Sequence, residues 1–477
     1  MVFPVVGGNE SKGYEISNSL RFNDNDSARL SITPSTTQTS NKIGTLSYWV
    51  KRSTLGTAQF PWHFYPNRSG HSNDRTFQAF DTSDRLTHER IYTGSTQFRL
   101  RTNRLFRDVG AWYHIVLAID TTQSTASNRM KLYVNGVQET NFETATYPSQ
   151  NDDIDIFEQI MLTIGVGYSE GSYTGYFDGY LTEFHAIDGQ QLAQTDFGEF
   201  DDNGVWIPIK YTGTYGNNGF YLEFKQTGTS QNSSGIGADT SGNDNHFAVS
   251  NLAATDITED TCTNNFATLN PLFRSNFDND GTYAEGNCER DFTSANSDRG
   301  YGFASFGVTS GKWYWEVKIP TVARANTGIG DATAIAGFSG VMYDQNPSKG
   351  FMVNYNGQIE ENATATSYAS SLSDNDIVMW ALDMDNHRAY YGINGTWQDS
   401  GDPTSGSTGT GDVTTQISDQ SHLNTGEPMF PFCFDASTSG ESNFKWNFGN
   451  APFSISSGNT DGKYGNFEYA PPSGYYA

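Results

Sequence analysis

Trp313-Tyr314-Trp315-Glu316-Val317-Lys318-Ile319 is the stretch that decides the fold class. From Trp313 onward every second residue is apolar, and the residues between them are Tyr, Glu and Lys. A period of two is that of a β-strand with one face in a core and the other in water. The same alternation recurs along the chain between Gly, Asn, Asp and Ser, and helical periodicity is nearly absent. The sequence therefore predicts an all-β protein.

Two segments share one pattern of strand, turn and strand that ends in Asn-Gly. The first runs from Ile115 to Gly136, and the second runs from Val378 to Gly395. Asn and Gly both tolerate positive φ, so each pair predicts a tight type I′ turn into a further strand. Because the pattern occurs twice, about 260 residues apart, we expect two antiparallel β-sandwiches of similar plan.

Composition limits the classes of function. The chain has 477 residues and a formal net charge of −26, so it repels nucleic acid and anionic membranes. No apolar run is long enough for a transmembrane helix, and the N-terminus lacks the basic and apolar regions of a signal peptide, so we expect neither membrane insertion nor ordinary secretion. The three cysteines fit no zinc or redox motif, and a disulfide between Cys262 and Cys288 is neither required nor excluded.

Five runs in the first half, in this order and spacing, resemble the concanavalin A-like lectin/glucanase group in its laminin-G-like form. They are Ser19-Leu20-Arg21-Phe22, Leu46-Ser47-Tyr48-Trp49-Val50-Lys51-Arg52, Trp112-Tyr113-His114-Ile115-Val116, Leu132-Tyr133-Val134-Asn135-Gly136 and Phe177-Asp178-Gly179-Tyr180-Leu181. The resemblance covers residues 15–200 and implies a lectin-like β-sandwich.

The second half resembles a SPRY domain over residues 276–450. The matching runs are Ser310 to Val317, Ala336-Gly337-Phe338-Ser339, Asp376 to Asp383, Tyr391 to Trp397 and Trp446-Asn447-Phe448-Gly449. The pairing of the two modules is similar to structural proteins of tailed bacteriophages, especially marine ones. Gly204-Val205-Trp206-Ile207-Pro208 and the run from Phe467 to Tyr475 also look like that group.

These patterns divide the chain into five regions. We expect an N-terminal arm over 1–18, a concanavalin A-like sandwich over 19–210 and a SPRY-like sandwich over 276–450. Residues 211–275 are predicted as a connecting strand and polar linker, because 226–265 are rich in Ser, Asn and Gly. Residues 451–477 are predicted as a C-terminal tail. The fold class is thus two jelly-roll, concanavalin A-like sandwiches joined by a polar linker.

The acidic run Asp153-Ile154-Asp155-Ile156-Phe157-Glu158 is the one candidate for catalysis. Glucanases of the resembled group carry a Glu-x-Asp-x-x-Glu strand that aligns two carboxylates about 5 Å apart. Here the first position is Asp153, whose side chain is one methylene shorter, so we expect a solvated acidic loop and no catalytic residue. The alternative is a Ca²⁺ site formed by Asp152, Asp153 and Asp155, since hard oxygen ligands suit that ion. No cofactor is required by the sequence.

A basic stretch precedes this run. Residues 51–107 hold ten basic and four acidic side chains, a local +6, so the rest of the chain carries −32. Within it, Arg99, Arg101, Arg104 and Arg107 are candidates for binding an anionic glycan or an acidic neighbouring subunit, because guanidinium groups suit carboxylate, sulfate and phosphate. The alternative is a solvated face that balances local acid.

Three functions follow from these interpretations. The first is a virion surface protein, a tail fibre or comparable appendage, that binds a glycan or protein of the host cell surface. It would assemble in the bacterial cytoplasm with other virion proteins, and family analogy implies a homotrimer. The second is a capsid decoration or connector protein with a purely structural role. The third is a glycan-degrading enzyme.

Overall fold

The computed structural model describes residues 13–66, 72–273, 281–292, 300–331, 350–361, 364–417, 422–424, 426–437 and 442–477. The chain divides into a first compact unit that ends at Asn265 and a second that begins at Phe266. Most of the predicted N-terminal arm, residues 1–12, and the predicted SPRY run Ala336–Ser339 lie outside the described residues. None of the helices in the described part of the chain combines the length and hydropathy that crossing a bilayer requires.

The structure describes twenty strands in the first unit. They are β1 Ser19–Phe22, β2 Arg29–Ile32, β3 Ile43–Arg52, β4 Gln59–Tyr65, β5 Arg75–Phe80, β6 Arg85–Tyr92, β7 Ser95–Leu105, β8 Trp112–Asp120, β9 Met130–Val134, β10 Val137–Gln138, β11 Phe142–Thr146, β12 Met161–Ile164, β13 Gly167–Ser169, β14 Ser172–Thr174, β15 Gly179–Asp188, β16 Gly198–Phe200, β17 Trp206–Pro208, β18 Phe220–Leu222, β19 Ala248–Ser250 and β20 Ile257–Thr258. Helical structure is limited to α1 Ala126–Arg129 and 3-10 turns at Asp24–Asp26, Gln194–Asp196 and Ala254–Asp256 among the residues described here.

Two eight-stranded sheets form the body of this unit. One, the β3 sheet, has the order β10-β9-β8-β3-β15-β1-β20, and β18 pairs with β15. The other, the β6 sheet, has the order β11-β7-β6-β5-β4-β12-β2-β19. Alternate side chains of both sheets meet in one core, including Tyr48 and Leu117 from the β3 sheet and Trp62 and Leu100 from the β6 sheet. This is the antiparallel sandwich that the alternating pattern predicted.

Thirteen strands lie in the described part of the second unit. They are β21 Gly281–Ala284, β22 Glu289–Phe292, β23 Gly300–Phe303, β24 Lys312–Thr321, β25 Ala325–Asp331, β26 Gly350–Val353, β27 Gln358–Glu361, β28 Thr364–Ser367, β29 Asp376–Asp383, β30 Arg388–Ile393, β31 Thr396–Trp397, β32 Met429–Asp435 and β33 Asn443–Asn447. The 3-10 turns described in this unit lie at Gln398–Ser400, Gly406–Thr408, Thr414–Gln416 and His422–Asn424.

These strands form a second sandwich. A seven-stranded sheet has the order β21-β22-β33-β24-β29-β30-β31, and a six-stranded sheet has the order β23-β32-β25-β26-β27-β28. Trp315 and Trp380 of the first sheet pack with Phe351 and Cys433 of the second in a common core. Both tryptophans are buried as predicted, whereas Trp313 packs against this core only half-buried. The prediction of two antiparallel sandwiches is therefore confirmed.

Both Asn-Gly turns have the predicted conformation. Asn135 and Gly136 have φ of 47° and 77°, and Asn394 and Gly395 have φ of 48° and 81°. Each pair joins two paired strands as a two-residue hairpin. Positive φ at both central positions is the signature of a type I′ turn.

The prediction of a polar linker over 211–275 is wrong for most of its length. Strands β18, β19 and β20 of this region pair with β15, β2 and β1, so they belong to the two sheets of the first unit. Phe220 and Phe247 lie in its core. The Ser- and Asn-rich composition misled the prediction because these residues lie in ordered turns, such as the one in which the Asp239 carboxylate accepts from the backbone N–H groups of Tyr221, Ser241 and Asn245.

One contact shows that two predictions were wrong: the outer face of β24 is not exposed to water, and the C-terminal segment is not a tail. Tyr314 and Glu316 are 1% and 0% exposed although they point away from the core. The segment that contains Phe467 and Tyr475 packs over them. Glu316 accepts hydrogen bonds from the backbone N–H of Tyr469 at 2.7 Å and from that of its preceding residue at 3.0 Å. Residues 451–477 are therefore part of the second unit and not a free tail.

Candidate functional site

The outer face of the β3 sheet, which points away from the core, carries an unusual set of polar side chains. Strand β3 alternates, so Leu46 and Tyr48 face the core while Ser47, Trp49 and Lys51 face outward. All three outward residues are nevertheless buried, because other parts of the first unit cover them. Two apolar clusters show the cover: one includes Ile16, Trp49, Trp112, Tyr180 and Trp206, and the other includes Val116, Ile187 and Phe197.

Glu183 lies at the centre of this face because β15 bulges there. The register with β3 shifts between Thr182 and His185, and Glu183 has a φ of 49°, in the left-handed region. Such bulges re-aim a side chain and are frequent near functional sites. The Glu183 carboxylate accepts a hydrogen bond of 2.6 Å from the Tyr221 hydroxyl and a longer one of 3.4 Å from Tyr14.

Burial and charge keep both phenols protonated. Burial, followed by the nearby Glu183 carboxylate, raises the pKa of Tyr14 to about 12 and raises the pKa of Tyr221 above its usual range. His185 completes the group: its Nε2 lies 3.4 Å from Glu183, and its Nδ1 lies 3.0 Å from the Tyr215 hydroxyl. Sequence reasoning missed Glu183, His185 and Tyr221, because no local pattern signals the bulge or the covering segments.

The arrangement of Ser47, His114 and Glu183 resembles a nucleophile, a base and an acid, but the donor and acceptor roles in their hydrogen bonds do not fit catalysis. The Trp206 indole N–H, which can only donate, is 3.0 Å from His114 Nδ1. The proton of His114 is therefore on Nε2, which donates to Ser47 Oγ at 2.9 Å. Burial lowers the pKa of His114 to about 3, so the ring stays neutral. In this arrangement His114 cannot take a proton from Ser47.

Trp206 also forms the base of an exposed apolar patch. Its ring lies on the Asn135-Gly136 turn, where a Cβ on Gly136 would approach the ring to 2.1 Å, so only glycine fits. On its other side Phe200 makes an edge contact, with ring centroids 4.9 Å apart. Val137, Phe200 and Val205 are 55%, 52% and 48% exposed. We call these four residues, Val137, Phe200, Val205 and Trp206, the Trp206 patch.

Carboxylates border the Trp206 patch. Asp202 is exposed on the turn of the β16–β17 hairpin, two residues after Phe200, whereas Glu199 is exposed on the face of β16 opposite Phe200. Asp201 is held by the backbone N–H groups of Asn203 and Val205 at 2.9 and 2.8 Å, which lower the pKa of its carboxyl group. The hairpin thus presents an exposed aromatic ring on β16 and carboxylate oxygens on the turn that follows it.

The four candidate arginines lie together on or just after β7, and each is paired within the chain. Arg104 contacts Glu139 and Arg107 contacts Asp84, both at 2.9 Å. Arg99 binds Glu89, and Arg101 lies 3.5 Å from Asp81 and 3.6 Å from Glu143. Their side chains are 28–54% exposed. The structure therefore favours the alternative, a solvated face that balances local acid.

Acids from elsewhere in the sequence compensate part of the local charge of +6. Lys51 pairs with Asp260, Arg90 pairs with Asp155, and Arg104 pairs with Glu139. Each of these carboxylates lies outside residues 51–107. The excess of basic residues in this stretch is therefore smaller in the folded unit than in the sequence.

The acidic run is neither a strand nor a solvated loop. Asp155 is 0% exposed and has a φ of 60°, and its carboxylate binds the Arg90 guanidinium through bonds of 2.7 and 3.0 Å. Asp153 binds Lys42 at 2.9 Å, and Asp152 lies 3.4 Å from Arg90. The expectation of a solvated loop is wrong for Asp155, because the neighbouring Ile and Phe side chains draw this segment into the core.

The predicted Ca²⁺ ligands are engaged with cations of the protein itself. Among the described residues there is no group of three His, Cys, Asp or Glu side chains that could hold a metal ion. Cys262, Cys288 and Cys433 are free thiols, so Cys262 and Cys288 are not paired in this structure.

Comparison with known proteins agrees with the architecture of the first unit. Residues 23–194 match the laminin-G family model described as the concanavalin A-like lectin/glucanases superfamily. The first unit therefore contains a concanavalin A-like domain, as predicted. No curated protein matches the chain by sequence.

Solved structures show only distant similarity. The SPRY domain of human HERC1 has 18% identity and a TM-score of 0.27, and the match covers 37% of this chain and 96% of that one. A heptameric SAP-like pentraxin from Limulus polyphemus has 15% identity and a TM-score of 0.28, with coverage of 38% and 80%. The CBM40 of the Ruminococcus gnavus IT-sialidase has 14% identity and a TM-score of 0.25, with coverage of 40% and 96%.

Proposed function

We propose that this protein is a binding protein whose first unit recognises a cell-surface glycan through the Trp206 patch. The observation that carries the proposal is the exposed Phe200 ring, which packs edge-on against Trp206 and is followed by the acidic turn of the β16–β17 hairpin. A sugar ring has an apolar C–H face that can pack on Phe200, and its hydroxyls can donate to the exposed Asp202 carboxylate on the adjoining turn. An exposed apolar patch with a polar border is a typical binding surface.

The chemistry of the buried groups supports binding over catalysis. The neutral His114 donates to Ser47, and Asp155 is held by Arg90, so neither group has the freedom that nucleophilic or acid–base catalysis needs. We therefore propose that the protein is not an enzyme. An assay of polysaccharide viscosity tests this: a loss of viscosity on adding the protein would contradict it.

The proposed setting is the surface of a tailed-phage particle, in a tail fibre or a comparable appendage. Its support is the resemblance of the paired modules to structural proteins of such phages. Other virion proteins would be its partners, and a homotrimer is the proposed assembly. Antibody labelling of intact particles should place the protein on the tail, whereas uniform labelling of the shell would favour a capsid decoration protein. Native mass spectrometry tests the trimer.

The glycan experiment uses the full chain on an array of bacterial surface polysaccharides, followed by titration of the best ligand. Phe200→Ala should weaken binding about tenfold or more, which corresponds to roughly 1.4 kcal/mol. Leu105→Ala is the matched control, because Leu105 is also an exposed apolar side chain, at 41%, but lies on β7 of the other sheet. Equal affinity of both variants, with unchanged thermal stability, would show that the Trp206 patch is not the glycan site.

A further inference from the structure

Lys51 lies on the outward side of β3 and is 0% exposed. Its Nζ lies 2.8 Å from Asp260 Oδ2 and 2.9 Å from Asn265 Oδ1. We propose that Lys51 and Asn265 become joined by an intramolecular amide bond after folding, with Asp260 as the group that transfers protons. The product is an isopeptide cross-link within the first unit.

Neighbouring groups hold the three side chains in place for this reaction. Asp260 is 0% exposed, and its second oxygen accepts a hydrogen bond of 3.1 Å from the Trp112 indole. The Asn265 side-chain N–H donates to the Gly110 carbonyl at 2.8 Å, which turns its own carbonyl towards Lys51. An amine, a carboxyl and an amide carbonyl therefore meet in one largely buried contact, where they are ordered before any bond forms.

The reaction requires a neutral amine on Lys51, which forms when one proton passes along the 2.8 Å contact from Lys51 Nζ to the Asp260 carboxylate. The neutral amine is the nucleophile that an amide carbonyl requires. Asp260 thus serves as the base that takes up a proton from Lys51 Nζ.

The step balances without a further reagent. The lone pair of Lys51 Nζ forms a bond to Asn265 Cγ, and the bond from Cγ to Nδ2 breaks with its electrons on nitrogen. Lys51 gives up two protons in all. One leaves with Nδ2 as ammonia, and the other stays on Asp260 or passes to solvent. No group is oxidised or reduced, and the protein loses one molecule of ammonia.

The cross-link would join the end of β3 to the last residue of the first unit. It would close a covalent loop that spans residues 51–265 and contains β4 to β20, whereas β1, β2 and most of β3 precede it. An unfolded chain with such a loop has fewer conformations, so the folded unit becomes more resistant to denaturation. This consequence does not depend on glycan binding.

The test is the intact mass of the full chain after reduction and denaturation. We expect a mass about 17 Da below that of the sequence, and a branched peptide in the digest that joins Lys51 to Asn265. Asn265→Ala keeps the Lys51–Asp260 pair and should show the full mass of its sequence. Lys42→Met, which removes the half-exposed lysine that pairs with Asp153, is the matched control and should keep the deficit.

Three results would overturn the proposal. One is the full sequence mass in the folded wild-type protein. Another is a deficit of about 18 Da, which marks loss of water and a bond to Asp260 instead. The last is a deficit of about 17 Da that disappears at mildly alkaline pH, since a succinimide hydrolyses under those conditions and an isopeptide does not.

Discussion

Replacing Asp155 by Ala tests whether the acidic run stabilises the core or binds a cation. Asp155 is 0% exposed and holds Arg90, itself 5% exposed, through two hydrogen bonds. Removing one partner of a buried ion pair leaves the other charge uncompensated and costs about 3–5 kcal/mol. Asp152 stays 3.4 Å from Arg90 and provides partial compensation, so we expect the lower end, about 3 kcal/mol. Asp153→Ala is the matched control: Asp153 is 47% exposed and its partner Lys42 is 31% exposed, so the cost should be about 0–1 kcal/mol.

Thermal unfolding of the full chain, with and without Ca²⁺ and with a chelator, measures these differences. For a unit of this size about 3 kcal/mol lowers the midpoint by roughly 6–12 °C. Hydrogen exchange at β5 and β6 assigns the change to the first unit. Equal destabilisation by the two substitutions, or a Ca²⁺-dependent midpoint that both abolish, would refute the ion-pair argument and support a cation site.

Three further predictions concern other parts of the molecule. Burial lowers the pKa of His88 from 6.5 to about 3, so the free energy of unfolding is highest above pH 6.5 and falls as the pH drops towards 3. Urea titrations should show that His88→Gln reduces the pH dependence of this free energy by about 1.4 kcal/mol per pH unit between pH 4 and 6. An unchanged pH dependence would contradict this. Glu316→Ala leaves buried backbone donors of residues 468 and 469 without their acceptor, so we expect a loss of about 3 kcal/mol and faster proteolysis of the C-terminal segment, whereas protection equal to wild type would count against the contact. Gly136→Ala should displace Trp206 and quench or shift its fluorescence, while Gly94→Ala, with a similar φ of 75° but open space around it, should show only the backbone strain of about 1 kcal/mol.

The fold was predictable because its signals are local. Alternation along β24 and β29 depends only on neighbouring residues, and so do the positive φ angles that Asn135 and Gly136 accept. Two sandwiches and both hairpin turns followed from these patterns. The aromatic cores also followed, since Trp315 and Trp380 had to occupy the apolar face of their strands.

The candidate site was not predictable, because its parts are distant in sequence. The alternation of apolar and polar residues indicates which side chains of a strand point away from the core. It does not indicate which other segments cover those side chains. Glu316 was therefore expected in water, although a segment about 150 residues later buries it. Both interpretations of the arginines on β7, a binding surface and a solvated face that balances acid, were compatible with the sequence, and only the structure shows that Glu139 and Glu143 pair with two of them.

By itself the sequence determined the strands, their turns and the two sandwiches, because hydrophobic period and turn chemistry act over a few residues. Only the tertiary structure decided which outward faces are covered, where β15 bulges to place Glu183, and that Lys51 meets Asp260 and Asn265. Those features depend on contacts between residues more than a hundred positions apart, and the free energy of such contacts is set by packing and burial that no local pattern contains.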